Sequence, residues 1–164
     1  ITITSQEPMI GINDKKGPLY NPADRDHCVQ YVVAVGLIFG RLNSADLEDD
    51  FAANPLIDRL RKKMKIVENP RYTRDFYDPS KRSSANAIQV HFNDGSCTPN
   101  VEIEYPIGHP KRRKEGMPIV ENKFRANLAR RYSTKQQMAI LRICTDQARL
   151  EKTPVNEFVN NFVV

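Results

Sequence analysis

A group of polar side chains stands at the start of an apolar segment. The stretch "NPADRDHCVQYVVAVGLIFG" places His27 four residues before Tyr31, with Asp24 one turn earlier and Gln30 on the same flank. Residues three and four apart share one face of a helix. At the rim of a pocket, the imidazole could transfer a proton or bind a carboxylate, and Asp24 could fix its tautomer. The open alternative is that these are solvated or capping groups at a helix end.

A second candidate group lies in "EYPIGHPKRRKEG", directly after a predicted strand. His109 is bracketed by glycine and proline and is followed by four basic residues, among them Arg112 and Arg113. Loops at strand ends often carry binding groups, and arginine forks suit carboxylates or phosphates. A solvated run of charge is the alternative. The remaining histidine, His91, is expected to be exposed on the polar side of a hairpin.

The sequence contains no metal or cofactor signature. Cys28, Cys97 and Cys144 are widely spaced and form no CxxC motif, which argues against a zinc site and a disulfide framework. There is no P-loop, GxGxxG, HExxH or GxSxG motif. We therefore expect no cofactor and no metal, with Cys28 and Cys144 as packed thiols.

The composition indicates a globular protein with an anionic partner. Of the 164 residues, 40% are hydrophobic and 27% are charged, with a net charge of +5. The longest apolar run, 32–39, is far shorter than the roughly 20 residues that span a bilayer, so no membrane segment is expected. Nucleic-acid binding is not expected either, because no RRM, KH or helix-turn-helix pattern is present. The start "ITITSQEP" is typical of a segment cut from a longer chain.

The first half of the chain predicts the elements that position the candidate residues. "ITITS" alternates as a strand, and "EPMIGINDKKGPLYNP" is interpreted as a connection. Asn21 can cap a helix that runs from about Pro22 to Leu42, with Asp24 in its first turn. Short helices are expected at "SADLED" and "NPLIDRLRKKM", and "RYTRDFYDPSKRSS" is interpreted as an ordered loop.

The second half predicts a hairpin and then helices. "NAIQVHF" and "NVEIEY" alternate around Asp94-Gly95, a strong hairpin signal. "PIGHPKRRKEGMP" is rich in helix breakers and is interpreted as a loop. From Pro118 onward the pattern is helical, with caps at Ser133 and Thr153. The order of elements predicts an α+β fold with a boundary near residue 117.

Five blocks of the sequence carry a resemblance to a known family. They are "GPLYNPADRDHCVQY", "DPSKRSSANAIQVHFNDG", "EYPIGHPKRR", "KFRANLARR" and "LEKTPVNEF". In this order they resemble the C-terminal part of the MmgE/PrpD family, whose members are longer and carry a large N-terminal all-helical domain. The resemblance implies an α+β lid domain with a small antiparallel sheet over 1–117. It also implies that helices over 118–164 pack on the helical domain, which is absent here.

The resemblance further implies a hydro-lyase that dehydrates 2-methylcitrate to 2-methyl-cis-aconitate in propionate breakdown, the methylcitrate cycle, without an iron–sulfur cluster. Such a reaction needs a base, an acid and cations that neutralise a tricarboxylate. The family's principal acid and base lie largely in the helical domain, so this segment alone is expected to be inactive. The "H..QY" stretch is shared with the related cis-aconitate decarboxylase. The implied roles are catalytic for His27 and Tyr31, and substrate binding for Asp24, Gln30, His109, Arg112 and Arg113.

Two alternatives stay open beside the dehydratase. One is decarboxylation or epimerisation of a related polycarboxylate. The other is a non-catalytic cover or dimer contact. The expected partners are a tricarboxylate substrate, the N-terminal helical domain of the same protein and a second copy in a homodimer, with neither nucleic acid nor membrane. The expected compartment is a bacterial cytoplasm or a mitochondrial matrix.

Overall fold

The chain divides into two compact units. The computed structural model describes residues 1–163, in which Ile1–Pro106 form an N-terminal unit and the residues from Ile107 onward form a C-terminal unit. Residues 1–163 contain ten α-helices and four strands, which confirms the α+β class. The assignment of 1–117 to a lid domain and of 118–164 to returning helices stays a prediction.

The sheet of the N-terminal unit is mixed. Its strands are β1 (Thr2–Ser5), β2 (Lys65–Glu68), β3 (Asn86–Gln89) and β4 (Val101–Ile103), in the order β2-β1-β3-β4. β1 pairs in parallel with β2, while the β1–β3 and β3–β4 pairs are antiparallel. The expectation of a purely antiparallel sheet is therefore wrong. The long helical connection between β1 and β2 provides the crossover that a parallel pair requires.

The N-terminal unit contains six α-helices. All six come before β3 in sequence: α1 (Glu7–Asn13), α2 (Pro22–Asp26), α3 (Val29–Phe39), α4 (Asp49–Ala52), α5 (Pro55–Arg61) and α6 (Pro70–Tyr77). The next helix along the chain, α7 (Arg113–Ala129), belongs to the C-terminal unit. A 3₁₀ turn at Ser44–Leu47 precedes α4. The connection expected over "EPMIGINDKKGPLYNP" is thus wrong in its first half, which forms α1.

Three helices begin at an Asn-Pro pair. The side chains of Asn21, Asn54 and Asn69 each accept a hydrogen bond from a backbone N–H of the first turn, at 2.9 to 3.0 Å. A proline at the first position suits a helix because its missing N–H would have no partner there. The signal correctly predicts α2 and α5. The same signal at Asn69-Pro70 precedes the segment predicted as a loop; that prediction is wrong, because α6 forms there and buries Tyr72 and Asp75.

The single helix predicted from Pro22 to Leu42 is wrong, because it is interrupted after Asp26. Cys28 has an extended backbone (φ −122°, ψ 102°) and caps α3, which ends at Gly40 in the left-handed region (φ 68°). The break allows two burials at once. Arg25 lies against the Leu47 carbonyl at 2.6 Å and Asp49 at 2.7 Å, while Cys28 enters the core.

The main core of the N-terminal unit lies between α3 and α5. Its fully buried members are Cys28, Tyr31, Ala34, Val35 and Ile57. A smaller cluster of Tyr72, Ala85 and Ala87 joins α6 to β3. The main core includes Cys28 and Tyr31 at the start of α3, and Leu19 from the loop between α1 and α2 packs against it.

The predicted hairpin is confirmed. β3 and β4 pair with Ile88 opposite Val101, and the Asp94-Gly95 turn carries Gly95 at φ 87°. Phe92 N–H donates to Ser96 O at 2.8 Å across that turn. His91 is exposed, as expected.

The C-terminal unit is helical. A 3₁₀ turn at Pro110–Arg112 leads into α7, and α8 (Thr134–Cys144), α9 (Gln147–Lys152) and α10 (Val155–Asn160) follow. α7 continues through Pro118, so the loop expected over "PIGHPKRRKEGMP" is wrong from Arg113 onward. The Ser133 cap is confirmed by Gln136 N–H at 3.4 Å, whereas Thr153 ends α9 instead of capping α10. The unit's core is Leu128, Ile140 and Leu141.

Of the helices in residues 1–163, none combines the length and the apolar character needed to cross a membrane.

The Tyr72 hydroxyl provides a test of how α6 is fixed to the sheet. It donates to Glu102 Oε2 at 2.5 Å, and burial followed by this hydrogen bond raises the pKa of Tyr72 to about 12. Tyr72→Phe should lower the free energy of unfolding by about 1–2 kcal/mol at neutral pH, since the hydrogen bond to a charged acceptor is lost. The unfolded phenol ionises near pH 10, so the stability difference between wild type and variant should shrink as pH rises from about 10 towards 12.

Urea unfolding followed by circular dichroism at several pH values measures this difference. Tyr77→Phe is the matched control, since the Tyr77 hydroxyl is exposed and lies 3.3 Å from Glu7. A difference between wild type and Tyr72→Phe that stays constant up to pH 12 would contradict the assignment.

Gly116 provides a test of the start of α7. A Cβ at this position would overlap the carbonyl oxygen of Ile107. Gly116→Ala should therefore destabilise the chain by about 2 kcal/mol, although alanine is the better helix former. Gly36 in α3 is exposed and has no neighbour that a Cβ would meet, so Gly36→Ala should stabilise by about 0.5–1 kcal/mol. Opposite shifts in urea midpoint are expected, and stabilisation by both substitutions would refute the close contact.

Candidate functional site

Asp24 holds the loop before α2 in place. Its Oδ1 accepts from Lys15 Nζ at 3.0 Å, and its Oδ2 accepts from Tyr20 N–H at 3.2 Å and Asn21 Nδ2 at 3.1 Å. The hydrogen bond from Lys15, followed by that from Tyr20 N–H, lowers the pKa of Asp24. The carboxylate is therefore ionised and engaged with this loop.

His27 lies at the exposed C-terminal end of α2. Its Nδ1 is 3.2 Å from the Ala23 carbonyl oxygen and 3.7 Å from Asp26 Oδ2. A carbonyl only accepts, so this contact favours a proton on Nδ1 and leaves Nε2 as the acceptor nitrogen of a neutral ring. The neighbouring carboxylate is Asp26, and Asp24, the partner that helical spacing indicated, is bonded to Lys15 instead. Both oxygens of Asp24 are engaged by the loop before α2, while the break at Cys28 separates His27 from Gln30 and Tyr31 on α3.

Tyr31 belongs to the core. It is 2% exposed, and its hydroxyl donates to the Asp46 carbonyl oxygen at 2.6 Å. Burial raises the pKa of the phenol. The hydroxyl proton therefore supports the turn at Ser44–Leu47, and the catalytic role of Tyr31 stays a prediction.

Gln30 is 4% exposed and lines a cleft. Its Nε2 donates to Asp14 Oδ1 at 2.5 Å, and its Oε1 accepts from the Cys28 thiol at 3.3 Å. Because Asp14 also accepts from Lys16 at 2.6 Å, the Gln30 amide and the Lys16 ammonium are linked through one carboxylate. Gln30 thus connects α3 to the loop between α1 and α2.

The cleft beside Gln30 has a volume of about 470 Å³ and an excess of positive charge. We call it the cationic cleft. One wall is the loop before α2, another is the end of α5, and Gln30 lies between them. Its lining residues are Lys15, Lys16, Gly17, Pro18, Gln30, Asp58, Arg61, Lys62 and Met64.

Arg61 joins the walls of the cationic cleft. Its side chain is 11% exposed, Nη1 donates to Asp58 Oδ1 at 2.5 Å, and Nη2 donates to the Gly17 carbonyl oxygen at 3.1 Å. Nη2 also lies 3.7 Å from Cys28 Sγ. Gly17 has φ 83°, which favours glycine, so the loop can present this carbonyl to the guanidinium.

Sequence reasoning missed the basic residues of the cationic cleft. "DKKG" lies in the predicted connection and "RLRKKM" in a predicted short helix, and the sequence contains no local signal that they meet. Their convergence depends on the packing of α3 on α5, which brings two segments far apart in sequence to one opening.

The second candidate group lies in the C-terminal unit. His109 caps the 3₁₀ turn, and its Nδ1 accepts from Lys111 N–H at 3.1 Å, which places the proton of the neutral ring on Nε2. Arg112 Nη2 donates to Glu115 at 2.7 Å, an interaction that lowers the pKa of Glu115 and raises that of Arg112. Arg113 is exposed at the first position of α7. This group and the Asp24–Tyr31 group fall in different units.

The cysteines and acidic residues were also compared with the geometry of metal sites. Within residues 1–163, no group of three or more His, Cys, Asp or Glu side chains is arranged to hold a metal ion. Cys28 is a buried free thiol, as predicted. Cys144 is half-buried, and burial raises its pKa, while Cys97 is exposed.

Comparison with known proteins gives consistent matches. A family model described as the MmgE/PrpD C-terminal domain matches residues 1–147. The chain is 56% identical to a 2-methylcitrate dehydratase of Cupriavidus necator and 52% identical to one of Escherichia coli K12, over all 164 residues and 34% of each relative. It is 42% identical to a mitochondrial 2-methylcitrate dehydratase of Yarrowia lipolytica, over 99% of the chain and 31% of that relative.

The chain thus spans about a third of the length of the curated relatives that it matches, 34% in the bacterial proteins. The matched part is the C-terminal part of those relatives. The extent of the family match and these identities show that the chain belongs to the MmgE/PrpD family and corresponds to the C-terminal domain of its members.

Proposed function

We propose that the protein to which this C-terminal domain belongs is a hydro-lyase that removes water from 2-methylcitrate. The observation that carries the proposal is the 56% identity to a 2-methylcitrate dehydratase along the whole chain. The product would be 2-methyl-cis-aconitate, formed in propionate breakdown without an iron–sulfur cluster.

The contribution that we assign to this domain is binding of the substrate's carboxylates. Dehydration needs a base for the proton next to a carboxylate, an acid for the departing hydroxyl and cations that neutralise a tricarboxylate. The excess of positive charge in the cationic cleft and its contact with Gln30 support this assignment. The principal acid and base are expected in the N-terminal helical domain of the same protein.

Within the first candidate group, His27 is the residue that we propose for proton transfer. Its exposed ring and the acceptor nitrogen left by the Ala23 contact support this role. For Tyr31, the buried hydrogen bond to Asp46 favours positioning of Gln30, its neighbour on α3, over contact with substrate. For Asp24, the hydrogen bond from Lys15 likewise favours a positioning role, in which Asp24 orients the Lys15 ammonium.

The second candidate group is proposed to bind a further carboxylate. An exposed guanidinium at Arg113 and the Nε2–H of His109 are suitable donors to a carboxylate. Arg112 shares its guanidinium with Glu115, so its contribution is expected to be smaller.

The remaining partners follow from the same proposal. We expect a homodimer of the full-length protein. The expected compartment is a bacterial cytoplasm or a mitochondrial matrix, and one relative is named as mitochondrial.

A product assay on the full-length protein tests the proposed reaction. With 2-methylcitrate and a metal chelator present, the conjugated double bond of 2-methyl-cis-aconitate should appear in the ultraviolet absorbance. We propose that neither the removal of the proton nor the loss of the hydroxyl needs a metal. The 164-residue chain alone is the control and should give no product. A folded full-length protein that converts cis-aconitate but not 2-methylcitrate would overturn the proposed reaction, and turnover by the isolated chain would overturn the assignment of the main acid and base.

The two exposed histidines of the N-terminal unit provide a matched test of proton transfer. His27→Gln in the full-length enzyme should lower kcat by about 100-fold, the scale expected for a general acid or base. His91→Gln changes an exposed histidine in the hairpin and should leave kcat and KM as in wild type. If His27→Gln also leaves both constants unchanged, the proposed role of His27 is wrong.

A further inference from the structure

We propose that the cationic cleft binds a carboxylate-bearing end of a small polycarboxylate, with Lys15, Lys16, Arg61 and Lys62 as the cations that hold it. The identity of the ligand rests on the proposed function, whereas the site itself rests on geometry. None of these four residues was indicated by the sequence as part of a site.

The first argument is charge. Four cationic side chains line the cleft against one lining carboxylate, that of Asp58, while Asp24 and Asp14 pair with Lys15 and Lys16 from outside the lining. Asp58 is engaged with Arg61 at 2.5 Å. A cleft that concentrates one sign of charge between protein walls attracts small ions of the opposite sign.

The second argument is that the lysines keep unused donors. Lys15 donates to Asp24 at 3.0 Å and Lys16 donates to Asp14 at 2.6 Å. An ammonium carries three N–H donors, and each of these ion pairs needs one of them. Both lysines can therefore bind ligand oxygens while their ion pairs remain intact.

The third argument is that the cleft is held in shape before a ligand arrives. Buried Gln30 fixes Asp14 at 2.5 Å, and Asp14 in turn positions Lys16. Arg61 is fixed by Asp58 and by the Gly17 carbonyl at 3.1 Å. Side chains that are already ordered lose little conformational entropy on binding, so more of the interaction energy appears as affinity.

The fourth argument is size. The volume of about 470 Å³ lies within the range of small-molecule sites, and it exceeds what one phosphate or one isolated carboxylate would fill. Pro18 and Met64 add apolar wall on which a carbon skeleton can pack. The shape and lining therefore favour a polycarboxylate over inorganic phosphate.

The test uses exposed lysines, so that folding is preserved. The double variant Lys16→Gln, Lys62→Gln removes two charges from the cationic cleft. The double variant Lys63→Gln, Lys65→Gln removes two charges from exposed neighbours that do not line it. Both variants of the full-length enzyme have the same net charge. A difference between them in KM or in ligand affinity therefore comes from the cationic cleft and not from the net charge of the protein.

In the full-length enzyme, the cleft variant should raise KM for 2-methylcitrate by about tenfold, with a far smaller change in kcat, because two partly exposed charge contacts are lost. The control variant should change KM by less than about twofold, since its charges are screened by solvent. Equal KM values for the two variants, with wild-type turnover intact, would contradict substrate binding in the cationic cleft but would leave the proposed function unaffected.

Direct binding separates the site from the reaction. Calorimetric titration of the full-length protein with tricarballylate should show binding that the cleft variant weakens and the control variant keeps. This result would support the cleft even if the wild type failed to dehydrate 2-methylcitrate, which would refute the proposed function alone. Inorganic phosphate that binds as tightly as tricarballylate, with the same dependence on Lys16 and Lys62, would overturn the polycarboxylate assignment.

Discussion

The guanidinium of Arg61 is the interaction on which the arrangement of the candidate site depends. It is nearly buried, and a buried cation is costly unless its donors are occupied. Asp58 accepts from Nη1 and the Gly17 carbonyl accepts from Nη2, which also lies 3.7 Å from Cys28 Sγ, whereas the buried Nε has no hydrogen-bond partner within residues 1–163. One side chain therefore fixes the end of α5, the loop before α2 and the start of α3 relative to one another. The cationic cleft is the space that these three segments leave open.

The same packing explains why the polar residues from Asp24 to Tyr31 are divided between buried and exposed positions. Arg25 is buried against the turn at Ser44–Leu47, and Cys28 is buried between α3 and α5. Both side chains can be buried because the helix is interrupted between Asp26 and Val29. As a result, Gln30 and Tyr31 point into packed surroundings, whereas His27 remains exposed at a helix end. The site is therefore built from a buried, hydrogen-bonded part and an accessible part that meet at Cys28.

Local signals predicted the elements that depend on local contacts. The Asn-Pro starts of α2 and α5 and the Asp94-Gly95 hairpin are confirmed, because each is stabilised within a few residues of itself. α6 carries the same start signal, although its segment is predicted as a loop. Its buried face includes Tyr72 and Asp75, whose partners Glu102 and Lys81 come from outside the helix. β2 was not predicted, since its pairing with β1 joins residues about sixty positions apart, Thr2 with Lys65.

The sequence by itself determined the α+β class, the family and the two groups of candidate residues, because these depend on composition, residue spacing and matched blocks. It could not determine which of those residues meet. Helical spacing assumes a continuous helix, and the break at Cys28 separates Asp24 and His27 from Gln30 and Tyr31, while Asp24 pairs with Lys15. Likewise, Lys16 and Arg61 are ordinary surface charges in sequence. Only the burial of α3 against α5 brings them to one cleft, since contacts between distant segments are decided by which faces exclude water together.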